Sequence, residues 1–246
     1  MKNLIALAVL ASAISANAEY PVIGKFRNTY YYSVQEKEYV QYAIDTPVLN
    51  LVGDVLVDVS LPFKKAMDIE GTGKLRDGKV LNYNGKKDGI IRYRYTKNPH
   101  GDGVGDCALV PFHTVAVDPK EIPLGSLVEI EETKNIVLYF EDSKLEHDQA
   151  KLAERSNAGN ATRYPEHDQA GNATRYNELQ HDGLWRAEDV GGAIKKDRID
   201  LFVGDGDQGK ILKDAGIKHL QALTVRLVST PEESSCVKSY LDSDDQ

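Results

Sequence analysis

The sequence predicts a mainly β fold. The stretch 185–204 holds two alternating segments separated by Gly191 and Gly192, which is the pattern of a strand, a tight turn and a second strand. Segments rich in aromatic and β-branched residues lie upstream, at 24–34 and 48–60, and such residues suit a pleated, half-buried surface. Helical signals are confined to short stretches. We therefore expect one core built from strands, with short helices around it.

The first half of the chain contains three predicted elements. The segment 24–34 alternates as a strand, and 48–60 forms one or two strands that turn at Gly53. Ser60, with a proline two residues later, predicts a short helix over 62–69. Residues 86–106 are predicted to be a loop region.

This loop region begins with interleaved arginine and tyrosine residues and becomes rich in glycine after His100. The arginine and tyrosine pattern suits stacking on sugars and attraction to carboxylates. It fits an amphipathic strand equally well.

The second half continues with short strands around a polar insertion. A strand at 114–117 ends at Asp118 and Pro119, because proline cannot donate to a strand ladder. Further strands are predicted at 127–130, 136–140 and 220–228. The region 141–181 is polar and repeats the segments EHDQA and GNATRY, so we expect a long insertion between barrel strands. The acidic tail, 231–246, is expected to fray.

Charge and targeting signals limit the classes of function. The chain has 246 residues and a formal charge of −8, which disfavours a nucleic-acid binder because phosphate contacts need clustered Lys and Arg. No apolar run is long enough to span a bilayer. Residues 1–18 have the basic start, apolar centre and small-residue end of a signal peptide, cleaved near Ala18. We therefore expect a periplasmic or secreted protein whose mature part, 19–246, is a single domain.

The chain contains two cysteines, Cys107 and Cys236. In an oxidising compartment an even pair favours one disulfide that ties the carboxyl-terminal tail to the core. Two unrelated buried thiols remain the alternative, because spacing alone does not bring two Cβ atoms together. The histidines, including His100, His113 and His181, match no standard zinc spacing, so we expect no metal site.

Asp200 is the first residue whose position in the sequence indicates a catalytic role. It lies between Ile199 and Leu201 in a strand otherwise suited to a barrel wall. A carboxylate in that position is costly unless it is paired, hydrogen-bonded or protonated. An acid with a raised pKa can donate a proton near neutral pH, which is the requirement for cleaving a glycosidic bond.

Two sequence blocks form a specific pattern in a fixed order. The first is TVAVDP at 114–119, followed by IPLGS at 122–126, and the second is EDVGGAIKKDRIDLF at 188–202. Together they resemble the three-aspartate domain, the double-psi β-barrel core shared with the membrane-bound lytic transglycosylase A family. The resemblance implies a six-stranded double-psi β-barrel. Asp118, Asp189 and Asp200 would be the three aspartates.

The resemblance also implies the roles of individual residues. Asp200 matches the family's catalytic aspartate, Asp189 would hold Asp200 or the sugar, and Asp118 would brace the strand and turn. The predicted substrate-binding residues are Gly191, Gly192, Ala193, Lys195, Tyr31 and Glu70.

The implied reaction is cleavage of the β-1,4 bond between MurNAc and GlcNAc in peptidoglycan. One aspartate acts first as acid and then as base, and the 6-hydroxyl of the sugar closes on carbon 1 to give a 1,6-anhydro-muramyl end. This reaction needs no cofactor. The partners are peptidoglycan glycan strands, and we expect a monomer.

Two other functions are compatible with the same barrel. A hydrolytic glycosidase would pair Asp200 with a second acid, either Asp189 or Glu70, because ordinary glycosidases use two carboxylates. A non-catalytic, expansin-like wall-binding protein would use the tyrosines and the segment 92–97 to bind glycan without cutting it, because a fold does not define a function.

Overall fold

The structure is a computed structural model that describes residues 19–141, 163–167, 173–231 and 236–237. The predicted signal peptide at 1–18 lies outside the described residues. So do most of the repeats within 141–181 and most of the predicted acidic tail, 231–246.

The described residues are mainly strands, which confirms the predicted class. The strands are β1 (Val22–Gln35), β2 (Ile44–Leu49), β3 (Val55–Ser60), β4 (Thr72–Lys74), β5 (Val80–Lys87), β6 (Ile90–Thr96), β7 (Thr114–Ala116), β8 (Leu127–Ile130), β9 (Val137–Glu141), β10 (Arg163–His167), β11 (Ala173–Gln180), β12 (Leu184–Asp189), β13 (Arg198–Asp205) and β14 (Ala222–Ser229). The α-helices are α1 (Leu61–Glu70) and α2 (Gly209–Asp214), and short 3-10 helices cover Glu36–Tyr39, Val104–Asp106 and Glu131–Thr133. No helix among these residues has the length and apolar character needed to cross a membrane.

Six strands form the centre of the molecule, here called the six-strand unit. In the largest sheet they are ordered β13, β7, β12, β8, β14 and β1, and β1 also pairs with β13. Each of the six therefore has a strand partner on both sides. The main hydrophobic core lies against this unit and includes the fully buried Trp185. The mainly β class is confirmed by this sheet, whereas the six-stranded double-psi β-barrel stays a prediction.

The alternation of apolar and other residues along β13 determines which side chains enter the main core. Ile199, Leu201 and Val203 all belong to the main core, as the sequence predicts for one face. Phe202, on the other face, packs in a separate small cluster with Tyr31. The apolar face of the strand is thus committed to the core, and the opposite face presents Asp200.

The side lobe, residues 36–96, packs beside the six-strand unit around its own small core. Strand β1 continues into this lobe, because Val34 pairs in parallel with Gly73 of β4. The lobe core consists of Val34, Val48, Val59, Phe63, Met67, Leu75, Leu81 and Tyr93. This second core was not predicted.

Helix α1 forms where the sequence predicts a helix, extended by one residue at each end. The side chain of Ser60 accepts a hydrogen bond from the amide of Phe63 at 3.4 Å, and a proline occupies the first turn. Gly71 ends the helix with φ of 85°, a conformation that favours glycine. The last turn of α1 contains no basic residue, although cations are favoured at that end.

The predicted loop region 86–106 is partly wrong. Ile90–Thr96 is a strand that pairs antiparallel with β5, so the arginine and tyrosine segment belongs to a β-hairpin. The alternation of Ile91, Tyr93 and Tyr95 with arginines supports a strand. The insertion 141–181 also contains strands, because β11 pairs antiparallel with both β9 and β10. The described part of the insertion therefore forms a three-stranded sheet with β9 and is not only a loop.

A disulfide joins Cys107 to Cys236, with the two Cα atoms 5.3 Å apart. Val237, next to Cys236, is fully buried in the main core. Gly105 allows the tail to approach, since a Cβ at this position would lie 2.6 Å from the carbonyl oxygen of Cys236. The tail is therefore tied to the core at this point.

We expect Cys236→Ser to lower the free energy of unfolding by about 3 kcal/mol, because the crosslink restricts a long loop of the unfolded chain. The bond spans 129 residues of sequence. Urea denaturation would measure the loss, and wild-type protein unfolded with a reductant serves as the control. Equal midpoints for oxidised wild type and variant would contradict the prediction.

Candidate active site

A cleft of about 750 Å³ lies between the six-strand unit and the side lobe. The six-strand side supplies Asp189, Asp200 and the turn 191–195, while the lobe supplies the end of α1 and part of β5. The cations that line the cleft, Lys195 and Arg198, come with His219 from the six-strand side. The lobe side contributes the carboxyl groups of Asp68 and Glu70, so carboxyl groups line both walls whereas the cations line only one.

Asp200 is placed in the cleft by the pairing of β1 with β13. In this parallel pair Thr29 lies opposite Asp200, and the Thr29 hydroxyl donates to Oδ1 of Asp200 at 2.6 Å. Burial raises the pKa of Asp200 to about 6, against the opposing effects of the Thr29 hydrogen bond and the charge of Arg198. A substantial fraction of Asp200 is thus protonated at mildly acid pH, as a general acid requires.

Asp189 lies at the end of β12 and is held through both oxygens. The Tyr31 hydroxyl donates to Oδ2 at 2.6 Å, and the Val190 amide donates to Oδ1 at 2.8 Å. Burial and the nearby charge of Asp200 raise the pKa of Asp189 to about 7, although both hydrogen bonds oppose the shift. Burial and Asp189 together raise the pKa of Tyr31 well above its usual value.

Asp118 does not line the cleft. Its carboxylate accepts from the amides of Lys120 at 3.1 Å and Lys196 at 2.9 Å, and these backbone hydrogen bonds lower its pKa. Lys196 has φ of 56°, an uncommon conformation for a residue with a side chain. Asp118 thus fastens the turn before β13 to the end of β7 and affects the cleft only through that turn.

The predicted turn residues Gly191, Gly192, Ala193 and Lys195 all line the cleft. A Cβ on Gly191 would lie 2.6 Å from Cγ1 of Ile194, which is buried. A Cβ on Gly192 would meet no atom within 4 Å. Gly191 therefore serves the packing of the turn, while Gly192 leaves open space at the cleft surface.

Glu70 reaches the cleft from the last residue of α1. Its Oε2 accepts a hydrogen bond from the amide of Tyr32 at 3.3 Å. Burial, with the charges of Asp200 and Asp207, raises the pKa of Glu70 to about 7. Among the described residues no Lys, Arg or His forms an ion pair with it, whereas Asp68 pairs with Lys64 at 2.5 Å.

Two further cleft residues, Thr29 and Arg198, were not assigned a role from the sequence. Thr29 and Arg198 contact each other and Thr29 contacts Asp200, through hydrogen bonds between strands about 170 residues apart. No local pattern signals such a contact. Tyr83 lines the lobe side and is 48% exposed, which leaves its ring available to a ligand.

Two groups of side chains in the described residues have spacings that resemble metal sites. In the first, Nε2 of His181 lies 2.6 Å from the carbonyl oxygen of Phe112, and Nδ1 accepts from the Gly183 amide. Both nitrogens of His181 are engaged, and burial lowers its pKa to about 4. In the second group, Cys107 and Cys236 are joined as a disulfide. In each group, therefore, at least one member has its ligand atoms already engaged within the protein.

One part of the cleft lies in a range that matches a known family model. Residues 167–225 match the model of the 3D domain, and this range contains Asp189, the glycine turn and Asp200. Residues 167–225 are therefore similar to the 3D domain, which agrees with the predicted resemblance over this range. The matched range does not include Asp118. No relative was found among curated proteins.

Solved structures similar to this chain include three bacterial proteins. MltA of E. coli with bound chitohexaose is 16% identical, with 85% of this chain and 73% of that chain covered and a TM-score of 0.49. The lytic transglycosylase LtgG of Burkholderia pseudomallei is 17% identical, with coverages of 83% and 73% and a TM-score of 0.37. MltA of Neisseria gonorrhoeae is 18% identical, with coverages of 71% and 44% and a TM-score of 0.37.

We expect Asp200→Asn to stabilise the protein at alkaline pH. The pKa of Asp200 is higher in the folded than in the unfolded protein. The contribution of this carboxyl group to the free energy of unfolding is therefore fully present below the unfolded pKa and is lost as the pH rises through about 6. Asparagine does not ionise, so the stability of the variant relative to wild type should rise by on the order of 2 kcal/mol between pH 4 and pH 8.

Chemical denaturation at both pH values measures this difference. Asp58→Asn, on an exposed position of β3, is the control for the change of residue type. If the difference in free energy of unfolding between Asp200→Asn and wild type were the same at both pH values, Asp200 would not be a buried carboxyl group with a raised pKa.

Proposed function

We propose that this protein is a secreted lytic transglycosylase that cleaves the β-1,4 bond between MurNAc and GlcNAc in peptidoglycan and leaves a 1,6-anhydro-muramyl end. The observation that carries the proposal is the place of Asp200. Asp200 belongs to the range that matches the 3D domain, its carboxyl lines the cleft between the six-strand unit and the side lobe, and burial raises its pKa to about 6. The predicted signal peptide and the disulfide support a periplasmic or secreted location.

The proposed mechanism uses one carboxyl group for two proton transfers. The protonated Asp200 gives its proton to the glycosidic oxygen as the bond from that oxygen to carbon 1 breaks. The 6-hydroxyl oxygen of the same muramyl residue then bonds to carbon 1, and its proton returns to the Asp200 carboxylate. Protons balance over the cycle, and neither water nor a cofactor enters the reaction.

The hydrogen bonds of Asp189 favour this single-acid chemistry. Tyr31 and Val190 each donate to a different oxygen of Asp189, so the carboxyl group is held firmly in place. A carboxylate engaged through both oxygens is poorly suited to activate water or to attack carbon 1. Asp189 instead fixes the position of Tyr31 and of the glycine turn that lines the cleft.

The remaining predicted residues would bind the glycan. Gly192 leaves room for close approach of a sugar to the backbone, and Lys195 can meet a polar or anionic substituent. Tyr83 offers a partly exposed ring for stacking. We further propose that the six-strand unit has the double-psi connectivity of the resembled family.

We expect Asp200→Asn to reduce cleavage of purified peptidoglycan by about 10³-fold or more, because the essential proton donor is lost. Mass spectrometry of the soluble products tests this, with wild type expected to release anhydro-muramyl ends. Circular dichroism of the variant checks that it is folded. Wild-type products with free reducing ends would establish a hydrolase instead. Wall binding without soluble products would indicate a binding protein.

The hydrolytic alternative is favoured by one observation, the state of Glu70. This carboxyl shares the cleft with Asp200, has a pKa of about 7 and forms only one long hydrogen bond in the described part of the chain. Such a group is available to act as the second carboxylate that hydrolysis requires.

Glu70→Gln separates the two mechanisms. Under the transglycosylase mechanism we expect the variant to keep its anhydro products and lose less than about tenfold in rate, because Glu70 would only bind the sugar. A hydrolase that uses Glu70 as base would lose about 100-fold or more. Product mass spectrometry beside rates for the exposed control Glu121→Gln distinguishes these outcomes.

A further inference from the structure

The hydroxyl of Thr29 forms an unusual set of contacts beside Asp200. Its Oγ1 lies 2.6 Å from Oδ1 of Asp200 and 3.4 Å from the carbonyl oxygen of Ile199. A hydroxyl has one proton, so it can donate to only one of these two acceptors at a time. Thr29 is buried, and solvent is therefore a poor competitor for this proton.

Arg198 supplies the other half of the arrangement. Its Nε and Nη2 groups both donate to Oγ1 of Thr29, at 3.3 and 3.2 Å. These two donors occupy the lone pairs of the hydroxyl oxygen, because a hydroxyl accepts at most two hydrogen bonds. The proton of Thr29 is then directed away from Arg198, and the nearer acceptor is Oδ1 of Asp200.

The strand register makes this arrangement specific. Arg198 and Asp200 lie on the same face of β13, and Thr29 is the register partner of Asp200 on β1. Arg27, the register partner of Arg198, points to a different partner and pairs with Asp197 at 3.0 Å. Only one of these two neighbouring arginines therefore acts on the threonine.

We propose that Arg198 is a positioning residue that fixes the Thr29 hydroxyl on Oδ1 of Asp200 and so makes Oδ2 the oxygen that exchanges protons with the substrate. This inference deepens the proposed function and rests on it. Oδ2 accepts no hydrogen bond from the described residues, so it is the oxygen left for a ligand in the cleft. The acid proton therefore resides on Oδ2, moves to the glycosidic oxygen, and is replaced there by the proton of the 6-hydroxyl.

A double-mutant cycle tests whether Arg198 works through Thr29. We expect Thr29→Val and Arg198→Met to lower kcat by about 30-fold and about tenfold, with KM changed by less than about threefold. The double variant should match Thr29→Val within about twofold, because Arg198 has no hydroxyl left to orient. Multiplied losses in the double variant would overturn the proposal, since Arg198 would then act on Asp200 by charge alone.

Two further variants sharpen the test. Arg198→Lys keeps the charge but loses the forked pair of donors, so we expect a loss similar to that of Arg198→Met. Wild-type activity in Arg198→Lys would overturn the proposal. Arg27→Met is the matched control, because it removes an arginine from the same strand pair outside the cleft, and we expect its kcat to stay within about twofold of wild type.

Carbon-13 NMR titration of the Asp200 carboxyl group gives a readout that does not require catalysis. We expect both single variants to raise the pKa of Asp200, because Thr29→Val removes the hydrogen bond to the ionised form, while Arg198→Met weakens that bond and removes a nearby positive charge. The increase in the pKa of Asp200 caused by Arg198→Met should be smaller in the Thr29→Val background than in wild type. Equal increases in both backgrounds would overturn the positioning role. If wild type released no product while the titration behaved as expected, the proposed function would fail and the positioning role would stand.

Discussion

The parallel pairing of β1 with β13 is the constraint on which the candidate site depends. It sets Thr29 opposite Asp200, and it places the Tyr31 hydroxyl within reach of Asp189. A shift of one residue in this register would send the side chains of β13 to opposite faces, because the side-chain period of a strand is two. Asp200 would then point into the main core, and Ile199 would point into the cleft.

The same pairing imposes a cost on the fold. Asp189 and Asp200 are carboxyl groups held in an environment that disfavours their charged forms. Glu70 adds a third such group at the end of α1, where the helix dipole also disfavours a negative charge. These three buried carboxyl groups destabilise the fold at the cleft, while the disulfide and the two apolar cores stabilise the surrounding structure. Perturbed carboxyl groups concentrated in one cleft are typical of functional sites.

Local patterns together with the family resemblance predicted the parts of the candidate site that lie within one segment of the chain. Asp189, the glycine turn and Asp200 all belong to a strand, turn and strand whose alternation is visible in the sequence. Thr29 and Arg198 were missed, because their roles arise from pairing between distant strands. The side lobe was also missed, since its core is assembled from single residues of several short strands and one helix.

The 14 residues of β1 run along both walls of the cleft. The strand pairs with β13 and β14 in the six-strand unit and then with β4 in the side lobe. Lys74 of the lobe adds an ion pair to Asp205 at 2.7 Å. A hinge between the walls would have to break backbone hydrogen bonds and this ion pair, unlike a hinge in a flexible linker. The two walls of the cleft are therefore parts of one continuous hydrogen-bonded sheet, so the cleft is preformed rather than assembled by closure of separate domains.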